Sequence, residues 1–177
     1  MPRSTVKNRP IITLTNPRSP ISEAYRTLRT NIQFSAIDGE LKTITITSAG
    51  PGEGKSTTIA NLAVAYAQAD KKVLLVDADL RRPTLHHLFN VSNRMGLTNV
   101  LAGQADFGRV LKPTDTDGLD LITSGPIPPN PAEILGSKRM TSFLEEAASM
   151  YDVVLIDSPP ALAFTDAQLI AAKCDGV

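Results

Sequence analysis

The sequence predicts an α/β fold in which helices cover both faces of a mainly parallel sheet. Two segments, "KKVLLVDAD" and "YDVVLIDSPP", contain continuous apolar runs that end in aspartate, as expected of strands buried on both faces. Strand-like and helix-like segments alternate along the chain, which is typical of successive βαβ units. The 177 residues, of which 42% are hydrophobic and 20% charged, have the size and composition of one folded domain.

The chain divides into a basic arm and a domain. Residues 1–18 contain three prolines and no periodic apolar pattern, so we expect an extended arm. Residues 1–30 carry six basic groups and one acidic group, a charge that suits an anionic membrane surface or an acidic partner. A solvated tail is the equally open alternative. The domain is predicted over residues 19–177.

The domain is predicted to open with a helix, "SPISEAYRTLRTNIQF". Ser19 can cap it, and proline suits the first helical position. Four apolar residues fall on one face of this helix: Ile21, Tyr25, Leu28 and Ile32.

The remaining elements follow from apolar periodicity and turn residues. Strands are predicted within residues 43–47, 71–79, 118–125 and 151–160. Helices are predicted within 54–70, 81–89, 96–103, 138–150 and 165–173, with another after the proline-rich loop "PIPPNPAEIL". The final "DGV" resembles the start of a strand, so we expect the C-terminal strands of the domain to be missing.

The segment "SAGPGEGKSTT" predicts a phosphate-binding loop between a strand and a helix. Ala49 replaces the first glycine of the Walker A pattern, but that residue ends the strand rather than wrapping the phosphates. Glycines allow the backbone to approach an anion, and the N–H groups at the helix start point toward it. The predicted binding residues are Gly50, Pro51, Gly52, Glu53, Gly54, Lys55, Ser56 and Thr57. Lys55 would attract the outer phosphates and Ser56 would bind Mg²⁺. The alternative is a simple glycine turn.

Three aspartates follow the two apolar strands. Asp77 and Asp79 end one strand and Asp157 ends the other, so all three should meet at the edge of the sheet that carries the loop. Because Mg²⁺ takes one or two carboxylates, a third could orient or deprotonate an attacking group. Each aspartate alone could simply cap a helix. Arg81 could stabilise charge on a transferring phosphate, or belong with Arg82 to an ordinary surface pair.

Other features exclude several classes of protein and site. A single cysteine, Cys174, excludes an intrachain disulfide, and no apolar run is long enough to span a membrane. The N-terminus lacks the apolar core of a secretory signal. His86 and His87 are adjacent and cannot share a helix face as metal ligands do, so a structural role is expected.

Three segments together resemble a known family. "SAGPGEGKST", "VLLVDADLRRP" and "DVVLIDSPP" are similar to the Walker A, A′ and B motifs of bacterial tyrosine kinases, deviant P-loop ATPases related to MinD and ParA. "EAYRTLR" resembles the E-x2-R-x2-R helix of these kinases, and "GPIPPNPAEIL" resembles a loop of theirs. The resemblance runs from about residue 16 to the end. Within the family, the sequence resembles the cytoplasmic kinase subunits that act with a separate membrane activator in capsule and exopolysaccharide synthesis.

The resemblance implies a P-loop NTPase three-layer sandwich and a site for ATP and Mg²⁺. It implies that Lys55 holds phosphates, Thr57 contacts the α-phosphate and Asp77 acts as base or orienting group toward a tyrosine hydroxyl. Mg²⁺ ligands would be Ser56, Asp79 and Asp157. Contacts within a homo-oligomeric ring would come from Glu23, Arg26 and Arg29.

The implied setting is the cytoplasm, at the inner face of the membrane through a transmembrane activator. Substrates would be tyrosine-containing proteins, and no nucleic acid partner is expected.

Two departures from the family pattern bear on the alternatives. Gly50 stands where MinD-type proteins carry a signature lysine, which favours the kinase branch. The kinases also end in a tyrosine-rich tail, whereas this sequence has only Tyr25, Tyr66 and Tyr151, each expected in or beside a packed element. The alternatives are a switch ATPase of the MinD or ParA kind and a nucleotide-binding regulatory module without transfer activity.

Overall fold

A computed structural model describes residues 10–177, and its centre is a mainly parallel sheet. The strands are β1 (Thr43–Ile46), β2 (Val73–Asp77), β3 (Lys112–Pro113), β4 (Leu119–Ile122) and β5 (Val153–Asp157). Their order across the sheet is β1-β5-β2-β4-β3, and all neighbours are parallel except β3 and β4. The predicted α/β class is therefore confirmed.

Helices cover both faces of this sheet. They are α1 (Ile12–Thr15), α2 (Pro20–Ser35), α3 (Lys55–Ala67), α4 (Leu85–Leu88), α5 (Leu97–Leu101), α6 (Phe107–Val110), α7 (Pro131–Leu135), α8 (Lys138–Met150) and α9 (Asp166–Ala171). Alternate residues of β2 enter two different apolar clusters. Val73 and Leu75 pack on the α3 side, while Leu74 and Val76 pack on the side of α5 and α8. This two-sided burial explains the continuous apolar runs and confirms the three-layer arrangement.

The N-terminal segment departs from the predicted extended arm. Residues 12–15 form the short helix α1 because Ile11 is buried in the α3-side cluster and Thr13 bonds to Asn61 of α3. The part of the predicted arm formed by residues 1–9 lies outside the described residues. Two further elements, α6 and β3, were not predicted from the sequence.

Helix α2 begins after the predicted cap, since Ser19 accepts a hydrogen bond from the Ser22 backbone. Only part of its predicted apolar face packs on the core: Ile32 is partly buried against the α3-side cluster, whereas Ile21 is 56% exposed and Leu28 is 38% exposed. The helix also contacts the chain through buried Ser22 and through Arg29, whose Nη1 donates to the Ala65 carbonyl at 2.7 Å. Polar contacts therefore supplement a shortened apolar contact.

The segment predicted to begin another strand lies beside β1. Gly176 forms an isolated parallel bridge with Ile44, and its carbonyl accepts a hydrogen bond from the Thr45 N–H at 3.0 Å. Across residues 10–177, no helix combines the length and apolarity needed to cross a membrane.

Candidate nucleotide-binding site

A loop between β1 and α3 supplies backbone for binding an anion. Gly52 and Gly54 have φ angles of 73° and 88°, in the left-handed region that favours glycine. No heavy atom lies within 4 Å of a Cβ built at either position, so the space beside them is open. Gly54 is also the N-cap of α3, and no side chain caps the N–H groups of the first turn. Those groups and the helix dipole therefore favour an anion at this point.

The loop forms one wall of a cavity of about 600 Å³. The first wall contributes Pro51, Gly52, Gly54, Lys55, Ser56 and Thr57. The segment after β2 contributes Asp79, Arg81, Arg82, Thr84, His87 and Leu88. The loop after β5 contributes Pro160, Ala163 and Phe164. The cavity lies at the carboxyl edge of the sheet, where ligands bind in parallel α/β folds. His87, expected to be purely structural, is thus among the lining residues.

Ser56, which lines this cavity, is bonded to the buried Asp157 at the end of β5. The Ser56 hydroxyl donates to Asp157 Oδ2 at 2.5 Å, and the Asp157 residue is only 1% exposed. The pKa of Asp157 is raised to about 7, mainly by burial; the Ser56 hydrogen bond opposes the rise and the charge of Asp79 adds to it. Oδ1 of Asp157 is buried and finds no hydrogen-bond partner among residues 10–177. An unpaired buried carboxylate oxygen beside a hydroxyl fits the oxygen ligand set of Mg²⁺.

The two aspartates at the end of β2 and just beyond it have different environments. Asp77 is fully buried opposite Asp157 in the sheet, and its carboxylate accepts three backbone N–H groups, from Asp79, Thr84 and Leu85, each at 3.1 Å. Burial raises the pKa of Asp77 well above its ordinary value, and the charge of Asp157 adds to the rise.

Asp79, unlike Asp77, lines the cavity. One of its oxygens, Oδ1, accepts the backbone N–H groups of Arg81 and Arg82. Burial raises its pKa as well, and the charge of Lys55 counteracts part of that effect. Asp79 is therefore the carboxylate of this segment that a bound ligand can meet.

Arg81 joins two walls of the cavity. Its Nε and Nη2 atoms donate to the two carboxylate oxygens of Asp166 at 2.8 and 3.1 Å, and Asp166 is fully buried at the start of α9. The guanidinium carbon lies 3.9 Å from the centre of the Phe164 ring. The sequence gave no signal for either contact, because neither is local.

The residues of the "EAYRTLR" segment lie on α2 and do not line the cavity. Arg26 bonds to Glu23 at 2.9 Å and to the Pro17 carbonyl at 2.6 Å, while Arg29 bonds to Ala65. Arg26 and Arg29 therefore bond to backbone carbonyls of the same chain, and Glu23 bonds to Arg26.

Comparison with known proteins agrees with the motifs. The family described as the AAA domain matches residues 41–174. The tyrosine-protein kinase YwqD of Bacillus subtilis (strain 168) is 51% identical over 98% of this chain and 73% of its own length. The putative tyrosine-protein kinase CapB of Staphylococcus aureus is 40% identical over 96% of this chain and 73% of its own length. The chain belongs to the bacterial tyrosine kinases.

The fold of this kinase chain also matches solved structures. The kinase domain of the Escherichia coli tyrosine kinase ETK superposes with a TM-score of 0.90 at 42% identity, covering 97% of this chain and 68% of that one. MinD of Pyrococcus horikoshii, complexed with Mg-ADP, superposes with a TM-score of 0.65 at 27% identity, covering 76% of this chain and 55% of its own. The kinase therefore shares the deviant P-loop ATPase fold.

Proposed function

We propose that this chain is an ATP-dependent protein tyrosine kinase that regulates capsular or exopolysaccharide synthesis. The observation that carries the proposal is the cavity beside the glycine loop, where Ser56 meets a buried carboxylate with an unpaired oxygen. Phosphoryl transfer requires positioning and charge neutralisation more than covalent help, and this cavity offers both.

The glycine loop and Lys55 would hold the phosphates of ATP, with Thr57 at the α-phosphate. Ser56, Asp79 and Asp157 would hold Mg²⁺. When bound, Mg²⁺ would neutralise negative charge on the phosphate oxygens. The support for this ligand set is that Ser56 and Asp79 line the cavity and that Asp157 adjoins Ser56.

The transfer joins the tyrosine oxygen to the γ-phosphorus while the bond to the bridging oxygen breaks and ADP leaves. The hydroxyl proton must pass to a base. Asp77 is proposed as that base or as the group that orients the hydroxyl, because burial raises the pKa of its carboxylate and makes it a better proton acceptor than an ordinary aspartate. Asp79 is not assigned this proton, since its carboxylate is proposed to hold Mg²⁺.

Arg81 is proposed to act on the transferring phosphate through one end of its guanidinium. Nε and Nη2 are engaged by Asp166, while Nη1 makes no hydrogen bond to the rest of the described chain. The ion pair would hold the guanidinium in a fixed position at the cavity, which reduces the cost of orienting it.

The acceptor tyrosine is proposed to come from another protein or another copy. Tyr66 and Tyr151 are each 4% exposed, and the Tyr151 hydroxyl donates to Asp120 at 2.7 Å. Tyr25 is partly buried on α2. None of the three tyrosines lines the cavity.

Partners and location follow from the same proposal. A transmembrane activator would hold the kinase at the cytoplasmic face of the membrane, and α2 would contact a neighbouring copy in a ring through Glu23, Arg26 and Arg29. The exposed apolar residues of α2 and the segment after it support a contact surface there: Ile21, Leu28, Phe34 and Ile37.

The proposal is tested with γ-labelled ATP, Mg²⁺ and a glutamate–tyrosine copolymer as acceptor. Label on tyrosine supports the kinase, label only in free phosphate supports a MinD-like switch ATPase, and nucleotide binding without either supports a regulatory module. Lys55→Met should abolish tyrosine labelling because it removes the cation at the phosphates. Lys138→Met, an exposed change at the start of α8, is the matched control and should keep full activity.

A further inference from the structure

The α3-side layer contains a polar cluster that the proposed catalysis does not use. It joins residues 11–16, here called the strap, to the helix that begins at the phosphate loop. The central residue is Asn61, which lies in the middle of α3 and is 1% exposed. Burying an amide in an otherwise apolar helix face costs free energy unless its donor and acceptor groups are paired. The hydrogen-bond partners of Asn61 therefore indicate its role.

Asn61 bonds to the strap on one side and to the nucleotide end of α3 on the other. Its Oδ1 accepts the backbone N–H and the hydroxyl of Thr13 at 3.0 and 2.9 Å. Its Nδ2 donates to the Thr57 carbonyl at 2.9 Å. Thr57 lines the nucleotide cavity. One amide therefore connects the strap with a cavity residue through two successive hydrogen bonds, and such chains strengthen one another.

The strap is held along α3 at a second point. Gln68 Nε2, seven residues after Asn61 and thus on the same helix face, donates to the Thr13 carbonyl at 3.1 Å. The backbone N–H, hydroxyl and carbonyl of Thr13 are therefore all bonded to side chains at the middle and end of α3. Thr13 is fully buried, and Ile11 beside it packs in the α3-side cluster. The strap has one defined position against the nucleotide helix.

The strap is also fixed to α2. The buried Ser22 hydroxyl donates to the carbonyls of Asn16 at 2.6 Å and Ile12 at 3.3 Å. A shift of α2 would therefore move the strap, and with it the partner of Asn61. This is the helix proposed above to contact a neighbouring copy.

We propose that Asn61 is a positioning residue that couples docking of the strap to nucleotide binding at Thr57. Because coupling between two sites is reciprocal, bound nucleotide tightens the strap and a docked strap increases the affinity for nucleotide. The inference rests on the nucleotide-binding part of the proposed function and is independent of phosphoryl transfer.

Hydrogen exchange of the unaltered protein tests the coupling directly. Amide exchange is measured with and without ADP–Mg²⁺ in peptides that cover residues 11–16 and residues 138–150, the latter in α8 on the opposite face of the sheet. Coupling predicts that ADP–Mg²⁺ slows exchange in the strap about fivefold more than in α8, near the lower end for coupled sites. A purely structural role predicts equal changes in both peptides, and that result overturns the inference.

Variants test the reverse direction. Thr13→Val removes the hydroxyl bond to Asn61 while keeping the side-chain shape, and should raise the Kd for ADP–Mg²⁺ about fivefold by calorimetry. Thr15→Val changes an exposed residue of the same helix and should leave the Kd unchanged. Tyr151→Phe removes a hydrogen bond across the sheet and controls for lost stability.

Two results would contradict the coupling. The first is equal affinity in the Thr13 and Thr15 variants. The second is an equal loss of affinity in the Thr13 and Tyr151 variants. If the unaltered chain binds ADP and either result holds, the coupling is wrong while the proposed function stands. Absence of ADP binding by the unaltered chain refutes both.

Discussion

Asp157→Asn should stabilise the protein in the absence of metal and nucleotide, by an amount that depends on pH. Burial raises the pKa of Asp157 to about 7 in the folded chain, against an ordinary value of 3.8. Between about pH 4 and 7 the folded state holds a proton that the unfolded state has lost, so stability falls as pH rises through this range. The difference between the two pKa values corresponds to about 4 kcal/mol above pH 7.

Asparagine resembles the protonated aspartate and can still accept the Ser56 hydroxyl. The variant should therefore match the original chain near pH 4 and exceed its free energy of unfolding by up to about 4 kcal/mol at pH 8. The chain has no tryptophan, so urea unfolding in EDTA is followed by circular dichroism at several pH values. Differences between variant and original cancel the titration of distant groups, whereas Asp77 and Asp79 titrate differently in the variant because their charges interact with Asp157.

Asp117→Asn, on an exposed turn, controls for the removal of one negative charge. A stability difference for the Asp157 variant that stays constant between pH 4 and 8, or a variant less stable at pH 8, would refute the reasoning from burial. The same substitution should remove the stabilisation that Mg²⁺ adds to bound ADP, because it removes the charge on the unpaired oxygen.

Three further substitutions test individual contacts by urea unfolding. Arg81→Ala should destabilise the fold by about 3 kcal/mol because it leaves the buried charge of Asp166 unpaired, and Arg81→Lys should recover part of this loss. Gly96→Ala should lower the free energy of unfolding by about 3 kcal/mol, since its Cβ would clash with the carbonyl oxygen of Thr123; an unchanged midpoint would show that the backbone moves to relieve the clash. Tyr151→Phe should cost about 1 kcal/mol through the lost bond to Asp120, with ADP affinity unchanged.

The sheet was predictable because its signals are local. Apolar runs such as residues 73–76 are buried on both faces of the sheet, as their continuous pattern and short length predict. The glycine loop was recognisable for the same reason, because positive φ at Gly52 and Gly54 is a local requirement. The roles assigned to the loop residues remain predictions.

The inward side of α2 and the separate environments of Asp77 and Asp79 were not predictable from sequence. Apolar spacing placed Ile21, Leu28 and Ile32 on one face, but only Ile32 packs against the α3-side cluster, while a polar contact from Arg29 adds to the interface. Asp77 and Asp79 are two residues apart, yet one is enclosed by backbone N–H groups and the other lines a cavity. Which one is enclosed depends on the path of the chain into α4, a tertiary feature without a sequence signal.

The short strand β3 has a consequence for solubility. It pairs with β4 over only two residues, and Pro113 has no N–H group to offer to another strand. A sheet edge that is short and lacks donors is a poor template for pairing with other chains. Protection against edge-to-edge aggregation is therefore built into the β3 side of the molecule. Among residues 10–177, the edge better suited to further backbone pairing is β1, where the bridge to Gly176 lies.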